Sequence, residues 1–200
     1  MSQESITDLY KKCTLCPNGC KVDRTQFQRG RCGQTDRVKI AWSGLHRGEE
    51  PPISGRNGSG MIFFCGCPLH CKYCQNYQIS SADAAGIEIT TDQLTQIMLA
   101  LQDMGAASLN LVTGTHFVPS IISALEKAKK NGLILPVVWN SSGFESVETL
   151  RLIDRYIDLY LLDIKLSNFC YHFCYWQNLM NVGHKLEMNI DFVLYTWSKP

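Results

Sequence analysis

Three cysteines stand in the run Gly66-Cys67-Pro68-Leu69-His70-Cys71-Lys72-Tyr73-Cys74-Gln75-Asn76, spaced C-x3-C-x2-C. A loop of that length lets the thiolates of Cys67, Cys71 and Cys74 converge on one metal centre. Iron–sulfur clusters are held by cysteine thiolates, and a four-iron cluster ordinarily takes four of them. Three ligands therefore leave one iron open, as catalytic zinc sites keep a position for the reacting molecule. A structural zinc loop is the competing chemistry and needs a fourth ligand. Cys65 is the nearest candidate, but it lies in an apolar strand only two residues before Cys67, which is awkward for tetrahedral closure. The spacing favours the open cluster over zinc.

A second group, Cys13, Cys16, Cys20 and Cys32, reads C-x2-C-x3-C-x11-C and is punctuated by Pro17, Gly19, Gly30 and Gly33. Such punctuation is expected where backbone turns tightly around an ion. Four cysteines opening on C-x2-C fit a closed tetrahedral zinc site or a second cluster equally well. Reduced free cysteines are the weaker reading, because four thiols in a short loop with little core need something to organise them. The expected role is structural, or a relay of electrons to the main centre.

The elements that must position these residues follow from periodicity. Met61 to Phe64 reads as a buried strand leading into the three-cysteine loop, and Val38 to Trp42 as a weakly alternating one. Thr91 is placed to cap a helix starting at Asp92, with Leu94, Ile97, Met98 and Leu101 at helical spacing and Gly105 at its end. Ser108 to Val112 reads as a strand, followed by a helix with Ile121, Ile122 and Leu125 on one face and Gly132 beyond it. Leu133 to Trp139 is expected as the next strand, Glu145 to Tyr156 as a helix, and Ile157 to Leu162 as a further strand. Strands alternating with helices give the rhythm of a parallel sheet. In barrels of this kind active sites gather at the C-terminal strand ends. Here the three cysteines, Thr113 to His116, Asn140 to Ser142, and Asp163 with Lys165 all fall at such ends, so one shared rim is expected.

The three-cysteine loop resembles the signature of the radical S-adenosylmethionine (radical SAM) enzymes. The longer run from Glu49-Glu50-Pro51-Pro52-Ile53-Ser54-Gly55 through Gly58-Ser59-Gly60 to Cys74-Gln75-Asn76-Tyr77 is similar to proteins related to pyruvate formate-lyase activating enzyme. The resemblance covers about residues 13 to 166. It implies an α/β fold, a partial TIM-like barrel of parallel βα units preceded by a cysteine-rich metal-binding segment. It also implies a 4Fe-4S cluster on Cys67, Cys71 and Cys74, with S-adenosylmethionine chelated to the open iron and cleaved to a 5'-deoxyadenosyl radical.

Other roles follow from the same resemblance. The backbone at Gly114 and Thr115 sits where the family has a glycine-rich segment that takes the cofactor's amino group, although Thr115 and His116 replace the usual glycine and acid. His116 is a candidate to bind the cofactor or accept a proton. Asn140 and Ser141 match positions that contact the cofactor or a nearby cation. Lys165 suits the cofactor carboxylate as a point charge, Asp163 suits Lys165 or a cation, and Tyr73 suits the adenine. No catalytic side chain is assigned. The implied partners are a reducing donor such as flavodoxin or ferredoxin, and a glycyl radical protein as substrate. An iron–sulfur or zinc binding or electron-transfer module without radical chemistry is the alternative, as is an inactive, truncated enzyme.

Composition narrows the setting. The 200 residues carry a net charge of +1, which favours neither nucleic acid nor a membrane surface as partner. The polar start, Met1 to Asp8, does not read as a signal peptide, and no apolar run approaches the roughly 20 residues that span a bilayer. Ten cysteines in that context indicate a reducing, cytoplasmic setting and metal binding instead of disulfides. The expected organisation is a leader at 1–37, a barrel core at 38–166 and an aromatic-rich tail at 167–200. Phe169, Tyr171, Phe173, Tyr175 and Trp176 give the tail its character, and a truncated or altered terminus is expected there. Cys170 and Cys174 lack the rest of a metal-site pattern.

Overall fold

The computed structural model describes residues 6–72 and 74–163. Tyr73, Lys165, Cys170, Cys174 and the aromatic tail lie outside the described residues.

Six strands form one mostly parallel sheet: β1 (Val38–His46), β2 (Ser59–Phe64), β3 (Ile87–Ile89), β4 (Leu109–Val112), β5 (Val137–Ser141) and β6 (Leu159–Leu162). Their spatial order is β3-β1-β2-β4-β5-β6. The run β2-β4-β5-β6 is parallel throughout. β1 pairs antiparallel with both β2 and β3, so the purely parallel sheet expected from the rhythm gains an antiparallel edge. Among the described residues the sheet does not close into a barrel.

Three helices cover one face: α1 (Thr91–Asp103), α2 (Val118–Lys130) and α3 (Val147–Ile153). α1 begins one residue earlier than Asp92, because Thr90 caps it. Its hydroxyl accepts from the Gln93 N–H while the Gln93 side chain accepts from the Thr90 N–H, a reciprocal capping box. Gly105 takes φ +82 just past the end, where a side chain is strained. α3 starts only at Val147, with the Ser146 hydroxyl accepting from the Thr149 N–H. Glu145 is therefore released from the helix expected to contain it. β5 begins at Val137, not Leu133, because the Pro136 carbonyl meets Leu109 N–H and the preceding residues lie outside the ladder, with Ile134 exposed.

The core sits between sheet and helices. Ile62, Phe64, Leu109, Leu111, Val137, Trp139 and Tyr160 pack against Leu94, Met98, Ile121, Leu125 and Leu150. Successive strand residues face opposite sides, so Phe63, Val112 and Asn140, which share one register row, point to the other face. That face carries the site.

Candidate active site

A cleft open to solvent lies at the C-terminal ends of β2, β4, β5 and β6. Cys67, Cys71 and Cys74 line it together with Phe63, Val112, Thr113, Asn140, Ser141 and Asp163. Segments more than ninety residues apart thus share one rim. The parallel sheet causes this, since every parallel strand ends on the same side.

The loop is held by short local contacts. Gly66 opens it at φ +82, and a side chain there would come within 2.7 Å of the Cys32 carbonyl. The Leu69 N–H donates to Cys67 Sγ at 3.5 Å, and the Cys74 N–H donates to the Cys71 carbonyl. Cys74 Sγ lies 3.5 Å from Ser80 Oγ. Burial pushes the Cys67 thiol up, and charges at Cys71 and Cys74 add to the rise, while the N–H groups of Leu69 and His70 oppose it. Burial thus favours the neutral thiol at Cys67 until a cation is bound. Thr113 takes φ +58, uncommon for a β-branched residue, and its N–H donates to the Asn140 carbonyl, which ties β4 to β5 at the rim. The Asp163 N–H donates to the Ser141 carbonyl in the same way on the next strand.

Cys65 turns away from this loop. It is fully buried, its Sγ lies 3.5 Å from the Ala85 carbonyl, and it does not line the cleft. Three soft thiols facing an open cleft, with the nearest fourth cysteine aimed elsewhere, suit a cluster with one free iron. Among the described residues no group of three or more His, Cys, Asp or Glu is drawn into a ready-made metal site, and this holds for the loop and the leader alike.

The expected cofactor residues separate into two sets. Asn140, Ser141 and Asp163 line the cleft. Gly114, Thr115 and His116 do not; they lie behind it, in and before a 3-10 turn over Thr115–Phe117. Gly114 has no room for a side chain because Trp139 and Ile121 fill the space, 2.9 and 2.7 Å from where its Cβ would be. Thr115 Oγ1 donates to Glu145 Oε1 at 2.6 Å. His116 is buried, its Nε2 is 2.7 Å from the Cys65 carbonyl, and burial followed by the Arg24 charge pushes its pKa down to about 3. At neutral pH it is uncharged and packed at the strand end, outside the lining of the cleft.

Glu145 is the residue that periodicity missed. It is 3 % exposed and accepts from Thr115 Oγ1, from Trp139 Nε1 at 3.1 Å and from Ser141 Oγ at 3.2 Å. Its carboxylate fixes Ser141 at the rim from behind. The signal in the sequence was its position just before the Ser146 cap, where helix residues had been expected.

The leader docks on the loop. Asn18 Nδ2 donates to the Pro68 carbonyl at 2.8 Å, and His70 Nε2 lies 2.6 Å from the Arg31 carbonyl. Both contacts fall between Cys67 and Cys71 on one side and beside the leader cysteines Cys16 and Cys32 on the other.

A sequence profile of the Radical SAM superfamily matches residues 61–191. The match runs past residue 166, where the resemblance had been expected to stop. An uncharacterized protein of Methanocaldococcus jannaschii is 32% identical over 176 residues, covering 82% of this chain and 48% of that protein. The chain thus spans about half the length of this curated relative. Among the described residues no helix is long and apolar enough to cross a membrane. With three cysteines in C-x3-C-x2-C at the head of a mostly parallel α/β sheet, and a profile match over more than half its length, the chain belongs to the radical SAM superfamily, whose domain implies a 4Fe-4S cluster and S-adenosylmethionine.

Proposed function

We propose that the chain works as an activating enzyme for glycyl radical proteins, similar to pyruvate formate-lyase activating enzyme. The observation that carries this reading is the shared cleft: three thiols of one loop face Thr113, Asn140, Ser141 and Asp163 from three further strand ends. A cluster held by Cys67, Cys71 and Cys74, with S-adenosylmethionine in the cleft, would supply the radical chemistry needed to take a hydrogen from a glycine of the partner. The chain's own residues hold and enclose. Cys67, Cys71 and Cys74 hold the cluster, Asn140 and Ser141 offer hydrogen bonds to the cofactor, and Asp163 offers an anion to its ammonium group or to a cation. Glu145 keeps Ser141 oriented, while Phe63 and Val112 exclude water from the floor. Lys165 and Tyr73 complete the reading as partners for the carboxylate and the adenine. A flavodoxin- or ferredoxin-type donor supplies the electron, and the cytoplasm suits eight described cysteines that are all free.

The test uses anaerobically reconstituted, reduced protein. It should convert S-adenosylmethionine to 5'-deoxyadenosine, and Cys71→Ala should abolish the conversion. A glycyl radical signal on an added partner protein would then establish the finer reading. Zinc at the three loop cysteines would overturn it and favour a metal-binding module, and a cluster that forms without any cleavage would overturn it and favour an electron-transfer module. The leader's two hydrogen bonds to the loop are the observation on which that second reading stands.

A further inference from the structure

Arg24 is fully buried, yet among the described residues no carboxylate pairs with it. A guanidinium does not shed its proton, and an uncompensated charge in the interior is strongly unfavourable. Its neighbours are neutral or potentially anionic sulfur. Nε donates to the Gln34 carbonyl at 3.2 Å, and the η nitrogens donate to the Thr35 and His116 carbonyls. Its plane lies over the Tyr10 ring, 4.8 Å from the centroid, with Phe117 at 5.7 Å. These dipoles and rings soften the charge but carry no opposite one. Nη1 also lies 3.9 Å from Cys13 Sγ, and the Gln34 carbonyl that Nε meets stands two residues past Cys32. Cys13 and Cys32 are the first and last cysteines of the leader.

The other leader sulfurs are dressed similarly. The Arg31 N–H donates to Cys20 Sγ at 3.3 Å, and Asn18 Nδ2 lies 3.7 Å from Cys16 Sγ. The Cys13 N–H reaches the Val22 carbonyl, the Lys21 N–H returns to the Cys13 carbonyl, and the Gly19 N–H closes a turn on the Cys16 carbonyl. Gly19 and Lys21 take φ +48 and +57 to make that turn. Hydrogen-bond donors aimed at sulfur from a strained knuckle suit thiolate ligands better than thiols.

We infer that Cys13, Cys16, Cys20 and Cys32 hold a thiophilic metal centre as a tetrathiolate dianion, and that buried Arg24 is its counter-charge. Zinc and an oxidised four-iron cluster share this chemistry: a doubly positive core on four thiolates leaves two negative charges. Metal binding releases the thiol protons to solvent. The inference deepens the reading of the leader as a metal-binding segment and is independent of the radical chemistry.

The experiment separates the two. The full chain with Cys67, Cys71 and Cys74 changed to alanine cannot assemble the loop cluster, so any bound metal reports the leader. Reconstituted in parallel with zinc and with iron plus sulfide, it should retain about one zinc or about four irons per chain. The preferred arm names the ion. A further Cys13→Ser, Cys32→Ser double change should remove it. Arg24→Gln in the triple variant should release the metal to a chelator about ten-fold faster or more, whereas Arg24→Lys, which keeps the charge, should lie closer to the parent. Circular dichroism and the metal-induced rise in Tm distinguish loss of the metal from loss of the fold: the rise should shrink in Arg24→Gln. No stoichiometric metal in either arm overturns the site. Metal held at the parent rate, with the parent's rise in Tm, in Arg24→Gln overturns the counter-charge.

Discussion

All four residues of β4 are buried, whereas between Leu15 and Val38 the leader buries a single apolar side chain, Cys32. The sheet is held by a continuous apolar layer from Ile62 to Tyr160. The leader is held by the small cluster of Tyr10, Cys13 and Leu15, by backbone bonds, and by a buried arginine whose donors reach into both regions. Apolar burial is non-directional and tolerates repacking. A segment held by one buried cation and a few hydrogen bonds has less such tolerance, and the metal proposed for its cysteines would add to its order. One polypeptide therefore joins a scaffold that stands on its core to a segment that stands on its chemistry.

That contrast can be broken in several ways. The largest expected effect is in the sheet. Trp139→Ala removes a fully buried side chain and should cost about 3–5 kcal/mol, read as a lower midpoint in urea, while leaving metal bound by the leader unchanged. An equal loss of leader metal would show that the two regions form one cooperative unit. Metal removal tests the other side. Chelation should accelerate hydrogen exchange at residues 13–32, with β4 and β5 amides staying protected. Exchange that is unchanged in the leader would mean that its contacts to the core suffice.

The joint between the regions carries a pH dependence. His116 is neutral and buried when folded, with its pKa pushed down to about 3, whereas unfolded it titrates at its ordinary value of 6.5. Between those values the unfolded chain binds a proton that the folded chain refuses. Stability should therefore fall as pH drops through that window, by up to about 1.4 kcal/mol per pH unit. His116→Gln should flatten the slope in denaturation measured from pH 7 to 4. A slope that persists unchanged would assign it to other groups. The smallest effect belongs to the contact between leader and loop. Asn18→Ala removes the donor to the Pro68 carbonyl and should cost about 0.5–1.5 kcal/mol. It should also broaden the loop cluster's electron paramagnetic resonance signal, whereas a signal identical to the parent's would mean that the leader does not position the loop.

Much of the scaffold was legible because helix and strand periods are local. Leu94, Ile97, Met98 and Leu101 announce α1 without knowledge of what they touch. Errors arose where a partner decided. β3 consists of three residues with Ile87 exposed, too short for any period, and exists because β1 offers it an edge. The start of β5 moved because Pro136 lies just outside the ladder. Of the residues expected at the site from their position at strand ends, Asn140, Ser141 and Asp163 line the cleft, whereas Gly114, Thr115 and His116 do not. Those three follow β4 in sequence, yet Gly114 packs on Trp139, Thr115 donates to Glu145 and His116 meets the Cys65 carbonyl, a consequence of packing that no spacing reveals.

The chain by itself determined the chemistry available to it. Three thiols within eight residues are forced near one another by chain length alone, and alternating strands and helices bring successive strand ends to one rim. Only the tertiary structure decided which of those ends face the cleft, that Cys65 turns away, and that Glu145 lies behind Ser141. It also decided that Arg24 is sealed between the leader cysteines and the 3-10 turn that precedes α2. The reason is the range of the forces involved. Ligand spacing and periodicity act within a few residues, whereas burial of a charge or a carboxylate depends on groups up to 92 positions apart.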